Sequence, residues 1–209
     1  SLLELVLWNF HSKDLSSLRL GLGNQSSIGH LQLHMEFGTL NQKVVESIAS
    51  MPSLVSLELE VNESFPVWAL LRSETLAMLG VISPSFDFES NDVVRLASSL
   101  RTNSALKVLQ LEPYIPGWCV GSVMASLRFS HCTKLHTFQF SCRNDDEEQG
   151  DACMAEILKT IESETCLRVL WNHYFESFSV SDDVRSKTMT ILSHNLSMQQ
   201  FRVFVENEN

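Results

Sequence analysis

The sequence predicts an α/β solenoid: a curved, right-handed stack with a parallel sheet on its concave side and helices on its convex side. Two observations carry that prediction. An aliphatic triplet of fixed spacing recurs along the chain, and the segments between its copies switch to a helical period. Successive copies begin 26, 26, 22, 30, 29, 32 and 31 residues apart. A repeat of that length is one supersecondary unit, whose apolar face only its neighbours can bury.

The triplet spaces three large apolar residues as L-x-x-L-x-L. Its first copies are Leu2, Leu5, Leu7 and Ile28, Leu31, Leu33. Between them, Leu15, Leu18 and Leu20 keep strand-like spacing beside Gly21 and Gly23, which predicts an extended return segment rather than a helix. A short helical run, Val44, Val45 and Ile48, precedes Pro52 and the third copy, Leu54, Leu57, Leu59. Residues 64–72 (SFPVWALLR) read as a short helix or helical turn ahead of a weaker copy, Leu76, Leu79, Val81.

The second half is more regular. Val93, Val94, Leu96, Ala97 and Leu100 follow helical spacing, with Asn91 as the expected N-cap and Asn103 at the stop. Leu106, Leu109, Leu111 then form a clear triplet. A helix through Val120, Val123, Met124 and Leu127 leads to Leu135, Phe138, Phe140. Another, through Met154, Ile157, Leu158 and Ile161, leads to Leu167 and Leu170, where Asn172 takes the third place. Ser181 is the expected cap of a last helix through Val184, Thr188, Ile191 and Leu192, which stops at Asn195 before Met198, Phe201, Val203.

Alternation of large apolar residues describes a short strand with one buried face. Strand, turn, helix, turn, repeated every ~30 residues, stacks into a parallel sheet with helices behind it. Neighbouring strands lie ~4.8 Å apart, while helices are ~10 Å wide. That mismatch bends the stack with the sheet inside. The expectation is one domain, 1–209, of about eight irregular repeats. Because Ser1-Leu2-Leu3-Glu4 already reads as the middle of a unit, a segment of a longer protein is expected.

The stretch Asn91 to Leu111 (NDVVRLASSLRTNSALKVLQL) resembles the leucine-rich repeat family, in its ribonuclease-inhibitor-like subtype. The resemblance extends over essentially the whole chain. The family places Asn or Cys about three residues after the last strand leucine, to satisfy turn backbone groups. Here only Asn62 and Cys142 fall near that place, so the ladder is degenerate. The resemblance implies a non-catalytic module that binds a protein or peptide on its concave sheet. It leaves open a substrate-recognition arm of a ubiquitin-ligase adaptor and a regulator of a small GTPase.

Composition narrows the partners. The 209 residues are 44% hydrophobic and 19% charged, which excludes a disordered tail. Fifteen Lys and Arg against 25 Asp and Glu give a formal charge of -10, which disfavours nucleic acid and anionic membrane. No apolar run reaches the ~20 residues of a spanning helix. The five cysteines form no C-x-x-C pair, which predicts reduced thiols in a cytoplasmic, intracellular protein.

Chemical motifs are sparse. There is no G-x-S-x-G, H-E-x-x-H or G-x-x-x-x-G-K-[ST], so neither an enzyme nor a cofactor is expected. Gly21, Gly23 and Gly29 mark turns, because the following residues read as a strand rather than a helix. His30 and His34 share a strand face, but their Cα atoms would stand ~13 Å apart, too far to share a metal ion. The acidic run Asp145 to Glu148 suits a solvated loop before a helix N-terminus.

In this architecture the positions flanking the last strand leucine point to the concave side. One row is Val6, Gln32, Glu58, Gly80, Gln110, Gln139, Trp171 and Arg202. The second is Trp8, His34, Glu60, Ile82, Glu112, Ser141, His173 and Phe204. Trp171, His173, Tyr174, Arg202 and Phe204 gather toward the C-terminal end, and Trp and Arg are frequent interface hot spots. With Gln139, Glu112 and Glu58 they form the expected partner-binding set. The mid-sheet carboxylates favour a basic partner.

Overall fold

The aliphatic triplets stand side by side. The computed structural model describes residues 3–11, 27–37, 40–83, 87–128, 134–143, 147–163, 166–172, 180–195 and 198–202. The strands are β1 (Leu3–His11), β2 (Ile28–Phe37), β3 (Ser56–Glu60), β4 (Met78–Ile82), β5 (Val108–Pro116), β6 (Thr137–Arg143), β7 (Val169–Asn172) and β8 (Gln200–Arg202). They form one sheet in sequence order, and every neighbouring pair is parallel. Between them lie α1 (Gln42–Ala49), α2 (Val67–Leu70), α3 (Ser90–Thr102), α4 (Gly117–Arg128), α5 (Glu147–Glu162) and α6 (Asp182–His194). The expected return segment through Leu15, Leu18 and Leu20 lies outside the described residues.

The register aligns equivalent residues. Leu5, Leu31, Leu57, Leu79, Leu109, Phe138, Leu170 and Phe201 pair in one line across the sheet. Leu7, Leu33, Leu59, Val81, Leu111, Phe140 and Asn172 form the next. Together with the apolar helix faces they form a single core. Each aliphatic side chain fully withdrawn from water there contributes about 1.5–3 kcal/mol. At the sheet edge, Leu5 and Leu7 are only partly buried.

Each helix packs on the next along the stack. Val44, Val45 and Ile48 of α1, Val93, Leu96 and Leu100 of α3, and Met154, Ile157, Leu158 and Ile161 of α5 are buried. Val94 departs from the sequence expectation: it points to solvent, 61% exposed, because the helical stripe through Val93, Leu96 and Leu100 leaves it on the opposite side. The short helix expected in 64–72 is the single turn α2.

One expected cap is corrected. Asn91 lies inside α3, which begins at Ser90 after Glu89 and has no side-chain cap. The start is set from outside the helix: Phe88 is buried, and its N–H donates to the Tyr114 carbonyl. Ser181 does cap α6, its hydroxyl accepting from the Val184 N–H, while its own N–H donates to Asp151 Oδ1.

The turns from helix to strand carry polar ties between repeats. Asn103 is buried; its Nδ2 donates to the Leu71 carbonyl at 2.7 Å, and its Oδ1 accepts from the N–H groups of Ala105 and Leu106. Asn195 repeats the arrangement, donating to the Ile161 carbonyl and accepting from Met198 N–H. Thr75 Oγ1 donates to the Met51 carbonyl in the same sense. On the helical side, Arg128 Nη2 reaches Glu156 Oε2 at 2.6 Å and Nη1 donates to Thr160 Oγ1, joining α4 to α5.

Candidate functional site

The face of the sheet away from the helices is built by alternation. Leu57 and Leu59 of β3 are buried toward the helices, so Glu58 between them points the other way and is half-buried. The same parity turns Gln32, Gln110, Gln139 and Trp171 outward, all half-buried. These positions pair in one unbroken line: Val6, Gln32, Glu58, Gly80, Gln110, Gln139, Trp171, Arg202. The first concave row of the sequence reading is thus a true register line.

The second row is corrected. His34, Glu60 and Ile82 pair as expected, but the register between β5 and β6 shifts after Leu111, so Ser141 pairs with Tyr114 rather than lying level with Glu112. The two extra residues Glu112 and Pro113 on β5 cause the shift, as a bulge does. Ser141 is fully buried and does not contribute to an open face.

Of the expected binding set, Glu58, Gln139, Trp171 and Arg202 lie on the common line, and Arg202 is placed there by its backbone pairing with Trp171. Glu112 stands just beyond, its Oε1 accepting from Gln110 Nε2 at 3.2 Å. His173, Tyr174 and Phe204 lie outside the described residues, as do Asp145 and Asp146.

A cluster near the N-terminal edge escaped the sequence reading as a unit. The rings of Trp8 and His34 stack with centroids 3.7 Å apart and an interplanar angle of 5°. His34 Nδ1 in turn lies 2.5 Å from Glu60 Oε2. Trp8 remains 67% exposed. Its signal was present in the second-row alignment, which set these three residues on adjacent strands. Among the described residues no group of three or more His, Cys, Asp or Glu is placed to hold a metal ion, and no helix is long and apolar enough to cross a membrane.

The electrostatics of this face are one-sided. Glu4, Glu58, Glu60 and Glu112 occupy its outward positions on β1 to β5, where the sequence supplies no Lys or Arg. An open cleft of about 580 Å³ lined by Glu162, Thr190, Ile191, His194 and Asn195 takes no residue from this line.

Neither a protein-family model nor a curated protein matches the sequence. Among solved structures, the chain is similar to one described as "Leiomodin-1 Actin-Binding Site 2 (ABS2)", at 17% identity and a TM-score of 0.49, over 74% of this chain and 86% of that one. The fold follows from the chain's own register, in which eight parallel strands in sequence order carry large apolar residues at equivalent positions and alternate with helices. The fold is a leucine-rich-repeat-like solenoid.

Its strand-end ladder is sparse. Asn172, where the triplet calls for an aliphatic residue, is fully buried; it accepts from the Cys142 N–H at 3.1 Å and donates to Cys142 Sγ at 3.3 Å. Cys142 is therefore the served partner, and Asn62 is exposed.

Proposed function

We propose that this chain is a non-catalytic module that binds a protein or peptide on the helix-free face of its sheet, built from repeats of the ribonuclease-inhibitor-like kind. The observation that carries this reading is the register line from Val6 to Arg202, which sets eight equivalent positions side by side on one parallel sheet. Half-buried Gln, Glu and Trp on fixed strands supply hydrogen bonds and anchor area at little conformational cost. Support for the subtype comes from α3, α4, α5 and α6, which run 13, 12, 16 and 13 residues and give each of those repeats a full helix.

A catalytic role has weaker support. Glu4, His30 and Ser56 do share one register line. Residue types alone do not make a relay: a nucleophile and its base must lie within hydrogen-bond reach, and none of the hydrogen bonds among the described residues joins these three.

The test is affinity capture followed by quantitative binding of the identified partner. Trp171→Ala and Gln139→Arg should weaken that binding by about tenfold or more, the scale of interface anchors. Val94→Arg and Glu148→Lys, on exposed helix positions, should leave it unchanged. The opposite pattern would overturn the assignment.

A further inference from the structure

We infer that Trp68, Arg72 and Arg95 form an oxyanion site on the helical side of the solenoid, one that takes the phosphate group of a phosphomonoester or of the free ion. The site lies away from the sheet face and is independent of the reading proposed for that face.

Trp68 belongs to α2 and is only 9% exposed, yet its Nε1–H meets no acceptor. A buried N–H without a partner is uncommon, because its lost hydration goes uncompensated. Two guanidinium groups lie over the same indole ring. The central carbon of Arg72 is 5.0 Å from the ring centroid, and that of Arg95 is 5.2 Å from it. Arg72 follows the end of α2, while Arg95 comes from α3, which packs beside α2. Both arginines are exposed, and among the described residues neither donates a hydrogen bond or enters a salt bridge.

The indole face attracts each cation, but it leaves the N–H forks unpaired, and two like charges beside one ring repel. Three donor groups thus share one place without an acceptor. The neighbouring acids do not fill that role. Burial and the charge of Glu89 hold the Asp92 carboxyl above its ordinary range despite Arg95, the opposite of what an ion pair produces.

Phosphate matches this set of donors. It carries nearly two negative charges against two guanidiniums, and three acceptor oxygens against two forks and one indole N–H. A carboxylate brings a single charge and two oxygens. The long side chains of Arg72 and Arg95 turn from the ring to the anion, and the indole edge is uncovered as they do so.

The test follows the Trp68 indole N–H by proton–nitrogen NMR at fixed ionic strength, the resonance being assigned through Trp68→Phe. The probes are inorganic phosphate, a capped peptide with one phosphoserine between glycines, and the same peptide with glutamate in its place. A phosphate-bearing probe should shift that resonance saturably and bind about tenfold more tightly than the glutamate peptide. Tighter binding of the phosphopeptide assigns the site to a phosphorylated partner, and tighter binding of inorganic phosphate assigns it to the free ion.

Arg72→Gln and Arg95→Gln should each weaken the phosphate complex about tenfold, the scale of one charge-assisted hydrogen bond. Arg101→Gln, elsewhere on α3, should leave it unchanged. If a glutamine variant does not fold, Arg72→Lys decides: it keeps the charge, loses the fork and should still weaken the complex. No saturable shift from either phosphate probe, equal affinity for the glutamate peptide, or an equal loss in Arg101→Gln overturns the inference. None of these outcomes alters the effect of Trp171→Ala on a captured partner, so the two readings fail separately.

Discussion

Asn103 Nδ2 donates to the Leu71 carbonyl, 32 residues earlier in the chain, at 2.7 Å, while its side-chain oxygen Oδ1 accepts from the Leu106 N–H at 2.8 Å. One buried amide thus ends a helix, starts a strand and joins two repeats. Asn103→Ala should cost about 2–4 kcal/mol, because it leaves buried backbone groups unsatisfied on both sides. Asn195→Ala should cost less, since Asn195 is half-buried. Equilibrium denaturation of the two variants checks the order.

Asn172 gives a prediction that runs against the repeat consensus. Replacing it by Leu would complete the triplet, yet Cys142 N–H would lose its acceptor in a fully buried place. Asn172→Leu should destabilise by about 1–3 kcal/mol. An increase in stability would show that the apolar gain outweighs the orphaned donor.

Glu156 couples stability to pH. Lys159 donates to its carboxylate, and Arg128 donates from the neighbouring helix, and together they hold its pKa below the ordinary 4.5 against the opposing effect of burial. A lowered folded-state pKa means a contribution fully present above the ordinary carboxylate range and lost as pH falls through the folded value. Native protein should therefore exceed Glu156→Gln in stability at neutral pH. The difference should shrink steadily as pH falls below 4.5. Urea unfolding of both proteins across that window measures it, and a difference independent of pH would refute the ionic origin.

Among the described cysteines, Cys166 is exposed, whereas Cys119, Cys142 and Cys153 are buried. The hydrogen bond with Cys142, reinforced by burial, pushes the Cys153 thiol well up, and burial raises Cys119. A thiol reacts as thiolate and only when reached. Native-state alkylation followed by mass mapping should modify Cys166 well before the other three, which should become reactive on unfolding. Early labelling of Cys153 would contradict the buried placement.

The Trp8–His34 stack and the arrangement at Ser141 show where reading from sequence stops. Alternation put Trp8 and His34 in one row, but their near-parallel contact depends on how β1 shifts against β2 after Leu7. Ser141 belonged to that row only while β5 was counted without its extra residues. Asn91 failed as a cap because the buried Phe88, tied to Tyr114, sets where α3 begins.

The chain by itself determined the strands, their parallel order and which side chains face away from the helices. Period-2 alternation and a nearly constant repeat leave a single register in which the large apolar residues of successive strands face the helices together, and a slip by one residue would turn the whole set to water. Tertiary structure alone decided which carbonyl each turn asparagine holds, where β5 bulges, and how Asn172 serves Cys142. Those bonds join groups about 30 residues apart. Their partners are fixed by the offset between stacked repeats, a quantity that no local spacing in the chain encodes.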